Sequence, residues 1–326
     1  MKILVTGAAG FIGSVVAAQF IDEGHEVVAL DNLLYGHRPA VHPQAKFVHL
    51  DLLNETGVRQ LFHEERFDAV AHLAGEAYID ESLRDPGRFF RANVTAGLHL
   101  IEAMRSFGVN RLVFSSTAAV YGQPKSIPIQ EDAPKEPCNS YGESKLAFEK
   151  MLSWHRVAYD LRYVCLRYFN ACGATERFGE SRQKETHLIP ICFEAALGQR
   201  ERLSLFGTDY PTPDGTCLRD YVHVSDIAQA HVLCLNNIDK IEERAYNLGN
   251  ARTYSNLEVI KTVEKVTGLP VKFVPAERRP GDPAVLEASS ERIRAELNWS
   301  PKYSDLESMV ASAWEWRSRN PKGYNG

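Results

Sequence analysis

The segment SYGESK, residues 140–145, sets a phenol and an ammonium group four positions apart, at Tyr141 and Lys145. On a helix that spacing lays both side chains on one face, a single turn apart. A free phenol titrates near 10 and is a poor base at neutral pH. Lowering it to about 7 takes roughly 4 kcal/mol of preference for the phenolate. One cation ~4–5 Å away supplies about 3–4 kcal/mol at an effective dielectric near 20. Lys145 and a second positive charge could therefore make Tyr141 a general base toward a hydroxyl. Taken alone, the pair reads more readily as helix decoration.

A source of the second charge lies upstream. VTGAAGFIG places Gly7, Gly10 and Gly13 after the first apolar run and at the mouth of a helical pattern. Glycines there permit a tight turn, close approach of the backbone to a phosphate, and helix-on-strand packing. Free N–H groups at the helix start then face an anionic pyrophosphate. The spacing is G-x-x-G-x-x-G, and a glycine-rich strand-to-helix turn is the bland alternative. Asp31 ends the second strand in ALDNL, about twenty residues on, where an acid can accept from both ribose hydroxyls and repel a 2′-phosphate. That pattern points to NAD rather than NADP, and an oxidised nicotinamide ring is a cation. Asp51, in HLDLL, either contacts the adenine or caps the next loop. A hydroxyl partner for the reacting oxygen is expected in FSSTAAVYG (114–122), from Thr117 or Ser116, although small hydroxyls also end strands as a turn device.

These groups need elements to carry them. Strands are expected at 2–6, 26–30, 46–50, 68–73, 111–116 and 163–169, in near-continuous apolar runs typical of parallel strands buried on both faces. Helices fill the gaps at 11–23, 57–64, 88–107 and 140–159, the third with Phe90, Val94, Ile101 and Met104 on one face. The βαβα order implies an α/β fold: a Rossmann-type doubly wound parallel sheet. After about residue 170 the rhythm breaks. Helices near 186–199, 225–236, 256–267 and 304–318, with strands near 203–206 and 271–274, form a smaller C-terminal α/β substrate-binding lobe over the sheet's C-terminal edge. The expected division is 1–169 for NAD and 170–326 for substrate, with part of 218–250 returning to the first.

The 326 residues are 44% hydrophobic and 24% charged, ordinary for a globular protein. A net charge of −5 argues against nucleic-acid or anionic-membrane binding. Six scattered cysteines form no disulfide or metal framework, so no metal is expected. With no signal peptide and no apolar run of membrane-spanning length, the expected compartment is the cytoplasm.

With these motifs in place, the chain resembles the extended short-chain dehydrogenase/reductases, and within them the UDP-glucose (UDP-galactose) 4-epimerases. The likeness spans essentially the whole length. TGAAGFIG, DNL, HLAG (72–75), SSTAAVYG and YGESK mark the superfamily; DYPTPDGTCLRDYVHVSD (209–226), with RYFNACGA, YNLGN and RRPGD, is more specific. The resemblance implies NAD-dependent inversion at C4 of UDP-glucose or UDP-galactose through a transient 4-keto sugar, and a homodimer through helices 88–107 and 140–159. It carries cofactor contacts onto Gly7, Gly10, Phe11, Ile12 and Gly13, then Asp31 and Asn32. Asp51, Leu52, Leu73, Ala74, Gly75 and Asn93 follow, and the remainder are Ser115, Tyr141, Lys145 and Tyr168. Thr117 and Tyr141 would meet the sugar. Asn170, His187, Leu188, Ser204, Phe206 and Tyr221 would border the nucleotide. Arg219 and Arg279 suit a diphosphate, with Asp282 on a ribose hydroxyl.

Departures from the family pattern are equally informative. Glu76, Ala77 and Tyr78 replace residues that are often basic or serine-containing, and an acid beside a pyrophosphate should turn away or signal a reshaped loop. Ser140 stands where proline is frequent, and His187 where asparagine is. Leu286 borders the expected position of the C2 substituent and should disfavour N-acetyl sugars. Related dehydratases carry an Asp-Glu pair where this chain has Ala118 and Ala119, which leaves dehydration without an acid. Other nucleotide sugars (UDP-xylose/arabinose, UDP-glucuronate, UDP-GlcNAc) remain alternatives. So does a non-catalytic NAD-sensing protein, although such proteins usually lose the tyrosine or lysine.

Overall fold

Apolar runs of the first half fold as strands, and helical patterns between them as connections. The computed structural model describes residues 1–242, 244–279 and 281–325. The chain runs β1 (Lys2–Thr6), α1 (Phe11–Asp22), β2 (Glu26–Asp31), β3 (Lys46–His49), α2 (Glu55–Glu64), β4 (Ala69–His72), α3 (Ile79–Ser82), α4 (Pro86–Phe90), α5 (Ala96–Ser106), β5 (Arg111–Thr117), α6 (Ser140–Tyr159) and β6 (Arg162–Tyr168). It continues through β7 (Asn170–Cys172), α7 (Leu188–Ala196), β8 (Leu203–Phe206), β9 (Leu218–His223), α8 (Val224–Asn237), β10 (Ala245–Leu248), β11 (Thr253–Ser255), α9 (Asn256–Thr267), β12 (Phe273–Ala276), β13 (Val285–Leu286), α10 (Glu291–Leu297) and α11 (Leu306–Arg319).

Seven described strands form one parallel sheet in the order β10-β6-β5-β4-β1-β2-β3. Successive side chains point to opposite faces, and both faces are covered. On one, Ile3, Val5, Val27, Ala29, Ala71 and Val113 pack with α1 and α8 through Val16, Phe20 and Ile227. On the other, Leu4, Val28, Leu30, Val70 and Phe114 meet α2, α5 and α6 through Leu61, Ile101, Met104 and Phe148. Strand order reverses between β1 and β4, which opens a crevice at their C-terminal ends. Residues 224–248 rejoin this layer: α8 packs on α1, and β10 pairs with β6. A second sheet of β7, β9, β11 and β13, the parallel pair β8–β12, and helices α7, α9 and α11 build the other lobe around Phe193, Val259 and Met309.

Several expectations change. The helix expected over 88–107 is α4, a π-helical turn at Arg91–Thr95, and α5. The wider turn shifts the register, so Phe89 is buried and Phe90 is exposed. Strand β9 goes unread in the sequence because it buries charge: Asp220 is enclosed and accepts the backbone N–H of Asn250, Ala251 and Ala288 at 2.7–3.1 Å. The short β7, β10, β11 and β13, together with α10, are likewise absent from the sequence expectations. The strand expected at 271–274 lies at Phe273–Ala276, and the helix expected at 186–199 is confined to Leu188–Ala196.

Three enclosed histidines tie folding to pH. Burial lowers His72 to about 3 and His223 and His231 to about 4, against an ordinary 6.5. The unfolded chain binds protons that the folded chain excludes, so this stability is complete above about 6.5 and is lost as pH falls toward 4. Each group contributes on the order of 3 kcal/mol. Buried Asp220, raised to about 7, works in the opposite sense over the same interval, so the histidine share is read by difference: His231→Gln should lose less stability than wild type between pH 6.5 and 4 in urea titrations.

Candidate active site

The crevice between the lobes has a volume of about 960 Å³. Its floor begins at the glycine turn. Gly7 has φ of +70°, and a Cβ there would lie 2.6 Å from the backbone nitrogen of Ala74. A Cβ on Gly13 would lie 2.0 Å from the Gly7 carbonyl oxygen, so α1 packs on β1 only with glycine at that position. Helix α1 begins without a side-chain cap and without an acid in its first turn, which leaves its N–H groups and positive end for an anion. Phe11 and Ile12 line the cleft here with Gly10.

Asp31 accepts the N–H of Ala9 (2.9 Å) and of Leu33 (2.8 Å), so it braces the glycine loop as well as facing the cleft. Burial pushes its carboxyl up, and the two amides oppose that. Asn32 donates to Asp51 (2.9 Å), which also accepts from the Leu53 N–H (2.8 Å). Asp51 therefore caps its loop while lining the cleft beside Leu52. Leu73, Ala74 and Gly75 continue the wall from β4. Asn93 does not line it. Enclosed in the π-helical turn, it bonds both the N–H and the carbonyl of Glu76 and the Ser144 hydroxyl, and so pins the loop from behind.

Tyr141 and Lys145 reach the cleft from the first turns of α6, which Asn139 caps by accepting the Gly142 N–H (2.8 Å). Lys145 donates to the Ser115 carbonyl (3.0 Å) and lies 4.9 Å from the centre of the Phe114 ring. Burial lowers its ammonium to about 8, and Glu149 works against that. The Tyr141 phenol is pushed up by burial, and the Thr117 hydroxyl bonded to it pulls the other way. In the chain alone burial dominates the phenol; the expected lowering calls on Lys145 together with an oxidised nicotinamide ring. Hydrogen bonding divides the hydroxyl candidates. The Thr117 hydroxyl is bonded to Tyr141, whereas the Ser116 hydroxyl, in the same cleft lining, is already engaged in donating to Glu149 (2.5 Å). The Tyr168 hydroxyl is bonded to His231 (2.8 Å) beneath the same cleft.

The far wall belongs to the second lobe, where Asn170, Leu188, Ser204, Tyr221 and Leu286 line the cleft. Its charged candidates meet one another. Arg219 pairs with Asp282 at 2.5 Å, and the Arg279 guanidinium lies 4.2 Å over the Phe206 ring. His187 bonds Glu180 (2.7 Å), which also holds Arg182 (2.8 Å). Burial alone would push Glu180 up, but these two neighbours hold it well below the usual carboxylate range. Glu180, Glu185 and His187 bring donor atoms within 4.8 Å of one another, yet Arg182 already engages that carboxylate. Glu76 lines the cleft rather than turning away, and Arg88 meets its carboxylate at 3.2 Å. Sequence reasoning missed Arg88, Arg182 and Glu180, because ion pairs spaced irregularly at 2, 7 and 12 residues across loops leave no periodic signal.

Residues 3–249 match the NAD dependent epimerase/dehydratase family. The chain belongs to that family. It is 45% identical over 327 residues to a UDP-glucose 4-epimerase of Lacticaseibacillus casei, covering 99% of each chain. A crystal structure of a UDP-glucose 4-epimerase superposes with a TM-score of 0.97 at 43% identity, covering 100% of both chains. The Bifidobacterium longum UDP-glucose 4-epimerase in complex with NAD+ and UDP gives 0.94 at 36% identity, covering 99% of this chain and 100% of that one.

NAD is the cofactor of this epimerase/dehydratase family, and the residues present fit it: a backbone cradle that any Cβ would fill, an uncapped helix start, and an acid at the second strand's end. Among the described residues no helix is long and apolar enough to cross a membrane. Gly13→Ala should force α1 off β1 and weaken NAD binding by at least about tenfold in fluorescence titration.

Proposed function

We propose that this protein interconverts UDP-glucose and UDP-galactose as an NAD-dependent 4-epimerase of the cytoplasm. One observation carries the reading: Tyr141, Lys145 and Thr117 converge in a cleft that also contains a dinucleotide cradle, and the two residues after Thr117 are alanines. Tyr141 takes the proton from the 4-hydroxyl and later returns it, while Thr117 holds the same oxygen by hydrogen bonding. Lys145 sets a positive charge behind the phenol. NAD supplies the hydride acceptor at C4 and, once the keto sugar has turned over, the donor on its opposite face. Ala118 and Ala119 offer no acid to expel a C6 hydroxyl, so the ketone is reduced rather than dehydrated.

For the substrate's other half we assign Arg219 and Arg279 to the diphosphate, with Asn170, His187, Leu188 and Ser204 beside them. Phe206 and Tyr221 border the base, and Asp282 meets the ribose. Arg219 must then share or leave Asp282, and Arg279 must lift from Phe206. Leu286 favours hexoses without an N-acetyl group. Incubating the protein with UDP-galactose, UDP-xylose, UDP-glucuronate and UDP-GlcNAc, without added reductant, should yield UDP-glucose as the fastest product and no accumulating NADH. Tyr141→Phe should keep its NAD and lose turnover by at least about 10³-fold; normal rates in that variant would remove the base.

We also propose a homodimer through α5 and α6. Trp154 and Val157 are 71% and 77% exposed. The two helices run side by side, joined by His155 to Glu102 at 3.2 Å, and Leu98 and Tyr159 extend the apolar surface. A patch of this kind marks a contact rather than a solvated face. Light scattering should report twice the chain mass, and Trp154→Glu should halve it.

A further inference from the structure

Glu149 has no part in the chemistry above, yet it is buried one helical turn beyond Lys145. One carboxylate oxygen accepts from the Ser116 hydroxyl (2.5 Å) and from Arg167 Nε (3.0 Å), and the other from a terminal Arg167 nitrogen (2.6 Å). The two side chains are 8% and 4% exposed. Arg167 also donates to the Tyr121 hydroxyl (2.8 Å) and the Glu131 carbonyl (2.9 Å), and Tyr121 donates to Asn247 (2.7 Å). The carboxylate thus ends a fully bonded network rooted in β6 and β10.

Three successive residues of β5 thereby hold three side chains of α6. The Ser115 carbonyl takes Lys145, the Ser116 hydroxyl takes Glu149, and the Thr117 hydroxyl meets Tyr141. Lys145 is enclosed, and among the described residues no carboxylate pairs with it directly. From β4 it faces His72, which burial keeps uncharged. On its own helix it has Tyr141 and Glu149. Around Glu149 lie Arg167, Tyr163 and Cys165 of β6, Tyr121, and Lys135; burial pushes the two phenols and the thiol up, so they stay protonated. Glu149 is therefore the one negative charge among these groups within reach of the Lys145 ammonium.

We propose that Glu149, clamped by Arg167 and Ser116, is a positioning residue that fixes α6 in register on β5 and keeps Lys145 an ammonium behind Tyr141. This rests on the reading of Tyr141 and Lys145 given above. An isolated ammonium in the protein interior sheds its proton easily; a carboxylate one turn away opposes that loss.

The charge of Lys145 can be read without substrate. In lysine-labelled protein its ζ-nitrogen resonance is assigned by its disappearance in Lys145→Met, and its titration is followed by NMR. Glu149→Gln keeps the side-chain shape and should move that titration toward acid by at least about one unit. The alkaline limb of the kcat profile should move with it, and kcat at neutral pH should fall about tenfold with KM for the sugar nearly constant. Because Glu149→Gln strands Arg167, the double variant Glu149→Gln/Arg167→Met removes both charges from the core and preserves folding; its Lys145 should still titrate below wild type, since Arg167 lies beyond Glu149. A Lys145 titration at the wild-type pH in either variant overturns the proposal. A wild-type protein that fails to epimerise any of the four sugars overturns the functional reading instead, and the NMR titration still decides the role of Glu149.

Discussion

Helix α6 lies on β5 so closely that neighbouring strand residues bond a lysine, a glutamate and a tyrosine from successive turns of the helix. That seam fixes where the Tyr141 phenol sits in the cleft, and neighbouring elements brace it. The aromatic cluster of Phe114 and Phe148, with ring centres 4.7 Å apart, presses helix to strand from the buried side. The π-helical turn sets Asn93 against Ser144 of α6 on one side and against the Glu76 backbone on the other. The loop after β4 and the first turns of α6 therefore share one enclosed amide, carried by a locally wide helical turn.

The cleft is lined by charges that are compensated within the protein. Glu76 meets Arg88, Arg219 meets Asp282, and Glu180 meets Arg182 and His187. Such pairs hold ionised groups in a partly dry crevice that would otherwise force them neutral. Two further cations of the cleft are held otherwise, Arg279 over the Phe206 ring and Lys145 on the Ser115 carbonyl. The acid at position 76 is offset in part by Arg88, which it shares with the nearer Glu81.

In the second lobe, polar burial replaces apolar periodicity as the organising device. Asp220 in β9 gathers three backbone amides from two loops, and Asp226 at the start of α8 takes those of Lys302 and Tyr303. Each carboxylate closes loops from distant parts of the chain, so the strand containing Asp220 carries no apolar signature that a window of sequence could reveal.

What the sequence by itself determined was whatever local spacing encodes. Apolar runs gave the six strands to within two residues at any end, because parallel strands buried on both faces must be apolar throughout. The interval from Gly7 to Asp31, and the four-residue step from Tyr141 to Lys145, were legible because a strand–turn–helix and a single helical turn fix their geometry. Tertiary structure alone decided which hydroxyl meets the phenol, since the docking of α6 sets Thr117 against Tyr141 and Ser116 against Glu149. It likewise decided that Asn93 supports the wall from behind, that Phe89 and not Phe90 is buried, and that Arg88 answers Glu76. The physical reason is common to all of these: each depends on the packing of segments far apart in sequence, and a contact made through space leaves no period along the chain.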